Sequence, residues 1–170
     1  YAVGRGVFVA MSAGNGFEDD NAVEYPAGYA PQIDGAMAVG AIGRSKLRAY
    51  YSSTGTHVEV AAPGGDVRDG GIDGVVFQAG FRFSDSDPRR VTVPRFDQYF
   101  ETPNQGTSMA SPHVAGVAAL LFAQGITSPA AIEAAIRRFS VDLGATGKDN
   151  DFGYGLVDAR AALRGLGVTR

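Results

Sequence analysis

One segment of this sequence, if it forms a helix, has apolar residues on every side of that helix. A helical pattern runs from Thr107 to about Gln124, with few polar interruptions. Its apolar residues are Met109, Ala110, Val114, Ala115, Val117, Ala118, Ala119, Leu120, Leu121 and Phe122. At about 3.6 residues per turn, these positions cover the whole circumference. We therefore expect a helix that is buried on all sides, with the rest of the fold packed around it.

Three short apolar runs predict the strands of a sheet. Residues 7–11 (VFVAM), 36–41 (AMAVGA) and 58–62 (VEVAA) are each followed by a turn-forming stretch. Runs of this kind are typical of strands buried on both faces, which occur in parallel sheets covered by helices. Ser128 and Pro129 predict the start of a second helix, and a third is expected from about Asp158 to Gly165. The predicted fold class is α/β, a parallel sheet sandwiched by helices.

Composition narrows the classes of function. The chain has 170 residues, of which 45% are hydrophobic and 19% charged, enough for one packed domain or part of a larger one. A net charge of −3 without a long basic run argues against nucleic-acid binding. No apolar run reaches the roughly 20 residues that cross a bilayer, so no membrane partner is expected. Cysteine is absent, which excludes disulfides, thiolate catalysis and cysteine metal sites.

Residues 64–102 are rich in Gly, Asp and Arg and have no sustained helical period. We expect a long surface insertion here. Within it, residues 75–77 and 90–93 could pair as a hairpin around the polar stretch 84–88.

Ser108 stands at the start of the apolar helix, in the stretch "NQGTSMASPHVAG". One interpretation is a simple N-cap, which serine often provides. The other is a nucleophile: Gly106 permits a tight approach, and a buried helix directs its unpaired N–H groups and positive dipole end at one point. The Ser108 N–H could then stabilise a developing oxyanion.

The stretch "GTSMASPHVAGVAAL" resembles the nucleophile segment of the subtilisin-like serine proteases. "VAMSAGN" resembles the family's strand and loop that carry the oxyanion-hole asparagine, here Asn15, and "YPAGY", "AMAVGAIG", "YSSTGTHVEVAAPGG" and "GYGLVDARAAL" follow in the family's order. The resemblance implies that residues 1–167 are the C-terminal part of such a peptidase domain, with a variable insertion at about 64–102. It implies a serine endopeptidase acting on polypeptides. An amide such as Asn15 can donate to an oxyanion without titrating, although an Asn between two glycines is also typical of a left-handed turn.

The resemblance implies a catalytic Asp and His that precede this chain, which begins at Tyr1 just before Asn15. Of the two histidines present, we expect His57 at the surface or a strand end. His113 is rotated roughly 140° from Ser108 on the helix and is expected to be a hydrogen-bonded structural residue. The chain alone should therefore be inactive and should need the missing N-terminal half of its domain as a partner. The alternatives are a catalytically inactive pseudoprotease or binding scaffold, and a lipase-like hydrolase, although "GTSMA" is not the Gly-x-Ser-x-Gly elbow.

Further expectations follow from the same resemblance. Gly14 and Glu24 are the predicted substrate-binding residues, and Glu24 would favour Lys or Arg before the scissile bond, unless it is an ordinary exposed loop residue. No cofactor is required for the chemistry. Backbone carbonyls near "YPAGY" and the acidic runs 18–20 and 149–151 are candidate ligands of a structural calcium ion. Most relatives act outside the cytoplasm, which implies a secreted protein.

Overall fold

The computed structural model describes residues 1–83 and 94–165 of the chain. Three strands form a parallel sheet in the order β1-β2-β3, and their bounds are β1 Val9–Ser12, β2 Ala36–Ile42 and β3 Val60–Pro63. In its register, Val9 pairs with Ala36 and Val39 pairs with Val60. The predicted parallel sheet is confirmed.

The strands differ in how deeply they are buried. β2 is buried along its whole length, and β3 is buried except at Pro63. All four residues of β1 are only half-buried, so the prediction of a strand buried on both faces is wrong for this one. The reason is its place in the order: within the described residues β1 has one neighbouring strand, which leaves its other side open.

Three α-helices follow the sheet, with the bounds α1 Thr107–Ala123, α2 Pro129–Phe139 and α3 Ala159–Gly165. Side chains of β2 and β3 pack against α1 and α2 in the main core, among them Met37, Val39, Val60, Val114, Leu121 and Ile136. The opposite face of the sheet is covered in part by a 3-10 helix, Ala27–Gln32, which packs on Ala38 and Met11. Ser128 Oγ accepts a hydrogen bond from Ala131 N at 3.4 Å, so the predicted cap of α2 is confirmed.

Helix α1 is buried on one side only. Val114 and Leu121 are fully buried, whereas Leu120 and Phe122 are 49% and 53% exposed. The expectation of a helix buried on all sides is therefore wrong for this chain. The sheet and the helices α2 and α3 pack on one side of α1, which leaves Leu120 and Phe122 about half exposed.

An antiparallel hairpin separates β3 from α1. Its strands are β4 (Val76–Phe83) and β5 (Pro94–Asn104), and the pairing begins where Val76 faces Asn104. The predicted strand at 75–77 is therefore confirmed and is longer than expected. The predicted turn at 84–88 and partner strand at 90–93 lie outside the described residues. No helix in the described ranges is long and apolar enough to cross a membrane.

Candidate active site

The two principal predicted residues, Asn15 and Ser108, lie at the carboxyl edge of the parallel sheet. Asn15 follows the end of β1 by three residues, and Gly64 directly follows β3. Gly106 N donates to Gly64 O at 2.9 Å, which ties the start of α1 to the end of β3. A Cβ on Gly64 would lie 2.8 Å from Gly106 O, so this close approach requires glycine. The edge at which α/β proteins bind their ligands thus carries both residues.

Two backbone contacts of Tyr51 support this junction. Its hydroxyl donates to Gly64 O at 3.0 Å and Gly65 O at 2.5 Å. Burial raises the pKa of Tyr51 well above its usual range, so the hydroxyl remains a neutral donor. The turn at Gly64 and Gly65, whose Gly64 carbonyl accepts the hydrogen bond from Gly106, is therefore anchored by the buried Tyr51 side chain.

Ser108 is the second residue of α1 and is exposed. The N-cap position is occupied by Gly106, with φ +151°, which has no side chain to cap the helix. The N-cap interpretation of Ser108 is therefore wrong. The serine side chain is instead presented to solvent in the first turn of a 17-residue helix.

Thr107 links the two predicted residues. Its backbone N–H and its hydroxyl both donate to Asn15 Oδ1, at 2.9 and 3.0 Å. Because a backbone N–H can pair only with the oxygen of an amide, this contact fixes the orientation of the Asn15 side chain. Within the described residues, Asn15 Nδ2 has no acceptor and is left as the free donor of the amide.

The first turn of α1 leaves a second donor next to Nδ2. Met109 N and Ala110 N both bond to Gly106 O, and Thr107 N bonds to Asn15. Within residues 1–83 and 94–165, Ser108 N has no acceptor among the backbone and side-chain bonds of this turn. A Cβ placed on Gly106 would lie 3.6 Å from both Asn15 Nδ2 and Ser108 N. The missing side chain of Gly106 thus leaves a niche that is bordered by the two donors and, at 3.7 Å, by the acceptor Asn15 Oδ1.

Gly14 and Glu24 lie beside Asn15. Glu24 Oε1 accepts from Asn15 N at 3.1 Å, while the side chain as a whole is exposed. Gly14 has φ +119°, and a Cβ there would come within 2.5 Å of Glu24 Oε1. The Gly14 N–H donates to Thr107 Oγ1 at 3.3 Å, and its carbonyl accepts from Ser53 N at 3.0 Å. Both backbone groups of Gly14 are therefore engaged within the protein, and its predicted role in substrate binding remains a prediction.

The two histidines bond to backbone carbonyls. His113 is exposed, and its Nδ1 donates to Met109 O at 2.8 Å, as expected of a structural helix residue. His57 is only 4% exposed and approaches Ala13 O through Nε2 at 3.4 Å. The expected surface position is therefore wrong, whereas the strand-end alternative agrees with its place three residues before β3. Within the described residues its Nδ1 is buried without a hydrogen-bond partner.

The residues present do not fit a calcium site built from side chains. Among the described residues, no group of three or more His, Asp or Glu side chains could hold a metal ion. In the run 149–151, the Asp149 carboxylate accepts from Ala145 N, Asp151 N and Phe152 N. In the run 18–20, Glu18 is paired with Arg68. The acidic side chains most suited to calcium are thus engaged in local contacts.

Sequence reasoning missed Thr107. It is fully buried, and its hydroxyl donates to Asn15 while accepting from Gly14. The sequence does show a hydroxyl residue at the first position of the helix, which is a signal for a hydrogen-bonding role. The neighbouring Ser108 drew the capping interpretation, so this signal was not used.

An exposed serine in the first turn of a helix, beside a fixed amide donor, is the kind of arrangement that acyl-transfer sites use. Residues 1–155 match the model of the subtilase family. The chain belongs to the subtilase family.

Individual relatives agree with this assignment. The chain is 34% identical over 168 residues to fervidolysin of Fervidobacterium pennivorans, covering 97% of this chain and 22% of that protein. It is 31% identical over 160 residues to the minor extracellular protease Epr of Bacillus subtilis, covering 92% of this chain and 20% of Epr. A solved protease from Pseudoalteromonas arctica superposes with a TM-score of 0.73 at 32% identity, covering 96% of this chain and 44% of that one. The chain therefore spans less than half the length of each of these relatives.

Proposed function

We propose that this chain is the part of a serine endopeptidase that carries the nucleophile, Ser108, and the oxyanion donor Asn15. The observation that carries the proposal is the niche at Gly106, which lies between Asn15 Nδ2 and Ser108 N. Membership of the subtilase family supports a protease.

In the proposed reaction, Ser108 Oγ attacks the carbonyl carbon of a peptide bond and loses its proton to a base. The electron pair of the carbonyl moves onto its oxygen, which accepts hydrogen bonds from Ser108 N and Asn15 Nδ2. When the tetrahedral intermediate collapses, the amine leaves with a proton and an acyl ester remains on Ser108. Water then hydrolyses this ester by the same route.

The base and its orienting carboxylate are proposed to come from residues that precede this chain in the full protein. His57 and His113 both contact backbone carbonyls, which supports this assignment. The exposed apolar side of α1, with Leu120 and Phe122, is the proposed contact surface for that preceding part. A secreted protein is proposed as well, consistent with the extracellular protease Epr among its relatives.

Glu24 is proposed to select Lys or Arg in the residue before the scissile bond. Its Oε1 is bound by the N–H of Asn15, which places a carboxylate next to the oxyanion donor. An exposed carboxylate at this position could pair with a cationic side chain of a substrate.

The test is labelling with a fluorophosphonate probe, which reacts with activated serines, followed by peptide mass spectrometry. The probe is applied to the full-length protein and to the 170-residue chain, each as wild type, Ser108→Ala and Ser111→Ala. Ser111 is the matched control, because it lies on the same helical turn and its hydroxyl contacts Ser12 at 3.3 Å. We expect an adduct on Ser108 in the full-length protein only, lost in Ser108→Ala and kept in Ser111→Ala.

Two other results would contradict the proposal. If a full-length protein with an upstream His and Asp gave no adduct, the chain would belong to a pseudoprotease. If the 170-residue chain alone were labelled on Ser108, the base would lie within this chain or in a second copy, and the assignment of both histidines as structural would be wrong.

A further inference from the structure

The loop that carries Asn15 is held by an arginine from another part of the chain. Glu18 lies three residues after Asn15, and the Arg68 guanidinium donates to both of its carboxylate oxygens, at 2.5 and 2.7 Å. These hydrogen bonds lower the pKa of Glu18 below its usual range, so the pair stays ionised at neutral pH. The same guanidinium lies 3.6 Å above the ring of Tyr50.

The segment before Ser108 contacts the hydroxyl group of the same tyrosine. Gln105 directly precedes Gly106, and its Nε2 donates to Tyr50 Oη at 2.8 Å. Its Oε1 accepts from Val67 N at 2.7 Å. Tyr50 therefore contacts the Arg68 guanidinium with its ring face and accepts a hydrogen bond from Gln105 with its hydroxyl oxygen.

A buried carboxylate fixes the two central residues. Asp66, only 5% exposed, accepts from Tyr50 N at 3.0 Å and from Arg68 N at 2.8 Å. The backbones of both residues are thus tied to one point. Glu18, Arg68, Tyr50 and Gln105 form a continuous chain of contacts, here called the outer bridge.

We propose that the outer bridge is a positioning device that keeps Asn15 Nδ2 and Ser108 N at the separation a peptide oxyanion requires. This inference rests on the proposed function of Asn15 and Ser108. Thr107 joins the two donors directly, but Asn15 sits on a loop beyond the end of β1, and the bridge restrains that loop from outside. Because an exposed ion pair adds little to stability, the bridge should affect geometry and rate more than folding.

The kinetic test uses the full-length protein and a peptide substrate. Arg68→Leu removes both the positive charge and the bidentate hydrogen bonding to Glu18. Arg68→Lys keeps the charge but not the bidentate geometry. Displacing a catalytic group by a fraction of an ångström should lower kcat about 10-fold in Arg68→Leu, with KM within about twofold, because the donors act on the transition state. Arg68→Lys should fall between Arg68→Leu and wild type, since lysine cannot reproduce bidentate pairing.

Arg95→Leu is the matched control. Arg95 makes a similar exposed bidentate pair with Asp97 on the hairpin, at 3.0 and 2.8 Å, and should leave kcat unchanged. Equal losses in both leucine variants would overturn the proposal, because the effect would then follow from lost surface charge. An unchanged kcat in Arg68→Leu would overturn it as well.

A second measurement does not depend on activity. Hydrogen–deuterium exchange of the Thr107 amide, which Asn15 Oδ1 protects, should be about 10-fold faster in Arg68→Leu and unchanged in Arg95→Leu. If the wild type hydrolysed no peptide, the proposed function would fail while this measurement still tested the bridge. Exchange of Thr107 at the wild-type rate in Arg68→Leu would refute the bridge on its own.

Discussion

Asn15 Oδ1 accepts hydrogen bonds from both the backbone N–H and the hydroxyl of Thr107, at 2.9 and 3.0 Å. One buried threonine thereby orients the amide at the end of β1 toward the first turn of α1. This pair therefore fixes the orientation of the Asn15 amide in the candidate oxyanion site.

Thr107→Val should impair the enzyme without unfolding it. Valine keeps the shape of the side chain but removes the hydroxyl, and the net value of a neutral hydrogen bond is about 0.5–1.5 kcal/mol. We expect kcat to fall roughly 3- to 10-fold, and Thr107→Ser to recover most of it. Steady-state kinetics on the full-length protein, together with urea unfolding, provide the measurement. If serine were as impaired as valine, the hydroxyl would not be the group responsible.

Asn15→Ala should have a larger effect, because it removes a donor to the transition state itself. The loss of one such donor typically costs about 100- to 1000-fold in kcat, with a small change in KM. Asn150→Ala is the control, since Asn150 is exposed and its backbone carbonyl, not its side chain, makes the contact with Gly55. A kcat within twofold of wild type in Asn15→Ala would exclude Asn15 from the oxyanion site.

Glu24→Gln should alter selectivity between substrates. Charge-assisted hydrogen bonds are worth about 1.5–3 kcal/mol, so the ratio of kcat/KM for Lys over Leu before the scissile bond should fall roughly 10- to 100-fold. Glu101→Gln removes the same charge from an exposed position on β5 and should leave this ratio unchanged. A constant Lys-to-Leu ratio in Glu24→Gln would show that Glu24 is an ordinary loop residue.

A buried charge cluster should make stability depend on pH. Arg137 pairs with both Glu59 and Glu133, each almost fully buried, and Glu133 also accepts from Gly35 N. Burial raises the pKa of Glu133, so the folded protein binds a proton more tightly than the unfolded chain does. Stability from this group is present below its unfolded pKa near 4.5 and is lost as pH rises through the raised folded value.

Glu133→Gln should therefore gain stability relative to wild type as pH increases from about 5 to 8, measured by urea unfolding. Arg137→Met removes the cation that pairs with Glu59 and Glu133 and should destabilise the protein by about 3–5 kcal/mol, because two carboxylates then remain buried without it. A constant stability difference between Glu133→Gln and wild type across this pH range would show that Glu133 is ionised throughout.

The exposed side of α1 should cause the isolated chain to self-associate. Leu120→Asn with Phe122→Ser should raise the monomer fraction in sedimentation velocity, because both are apolar side chains of α1 that are about half exposed. Leu47→Asn, at a position 68% exposed, is the control and should change little. If all three proteins had the same monomer fraction, this surface would not mediate the association.

The sequence by itself determined the elements and the family. Apolar runs predicted three parallel strands, Ser128 and Pro129 predicted the start of α2, and the "GTSMASPHVAGVAAL" stretch indicated the subtilase family. These features depend on residues close together in the chain, where backbone preference and side-chain periodicity act. Predictions that required a neighbour from elsewhere failed: α1 has an exposed side, β1 is half-buried, and His57 is buried.

Only the tertiary structure decided how the candidate site is assembled. Asn15 and Thr107 are separated by 92 positions, and Glu18 and Arg68 by 50. No local pattern encodes such contacts, because they arise when the carboxyl ends of β1 and β3 meet the first turn of α1. Thr107 lies inside the "GTSMASPHVAGVAAL" motif, but its link to Asn15 exists only because the fold brings these two residues together.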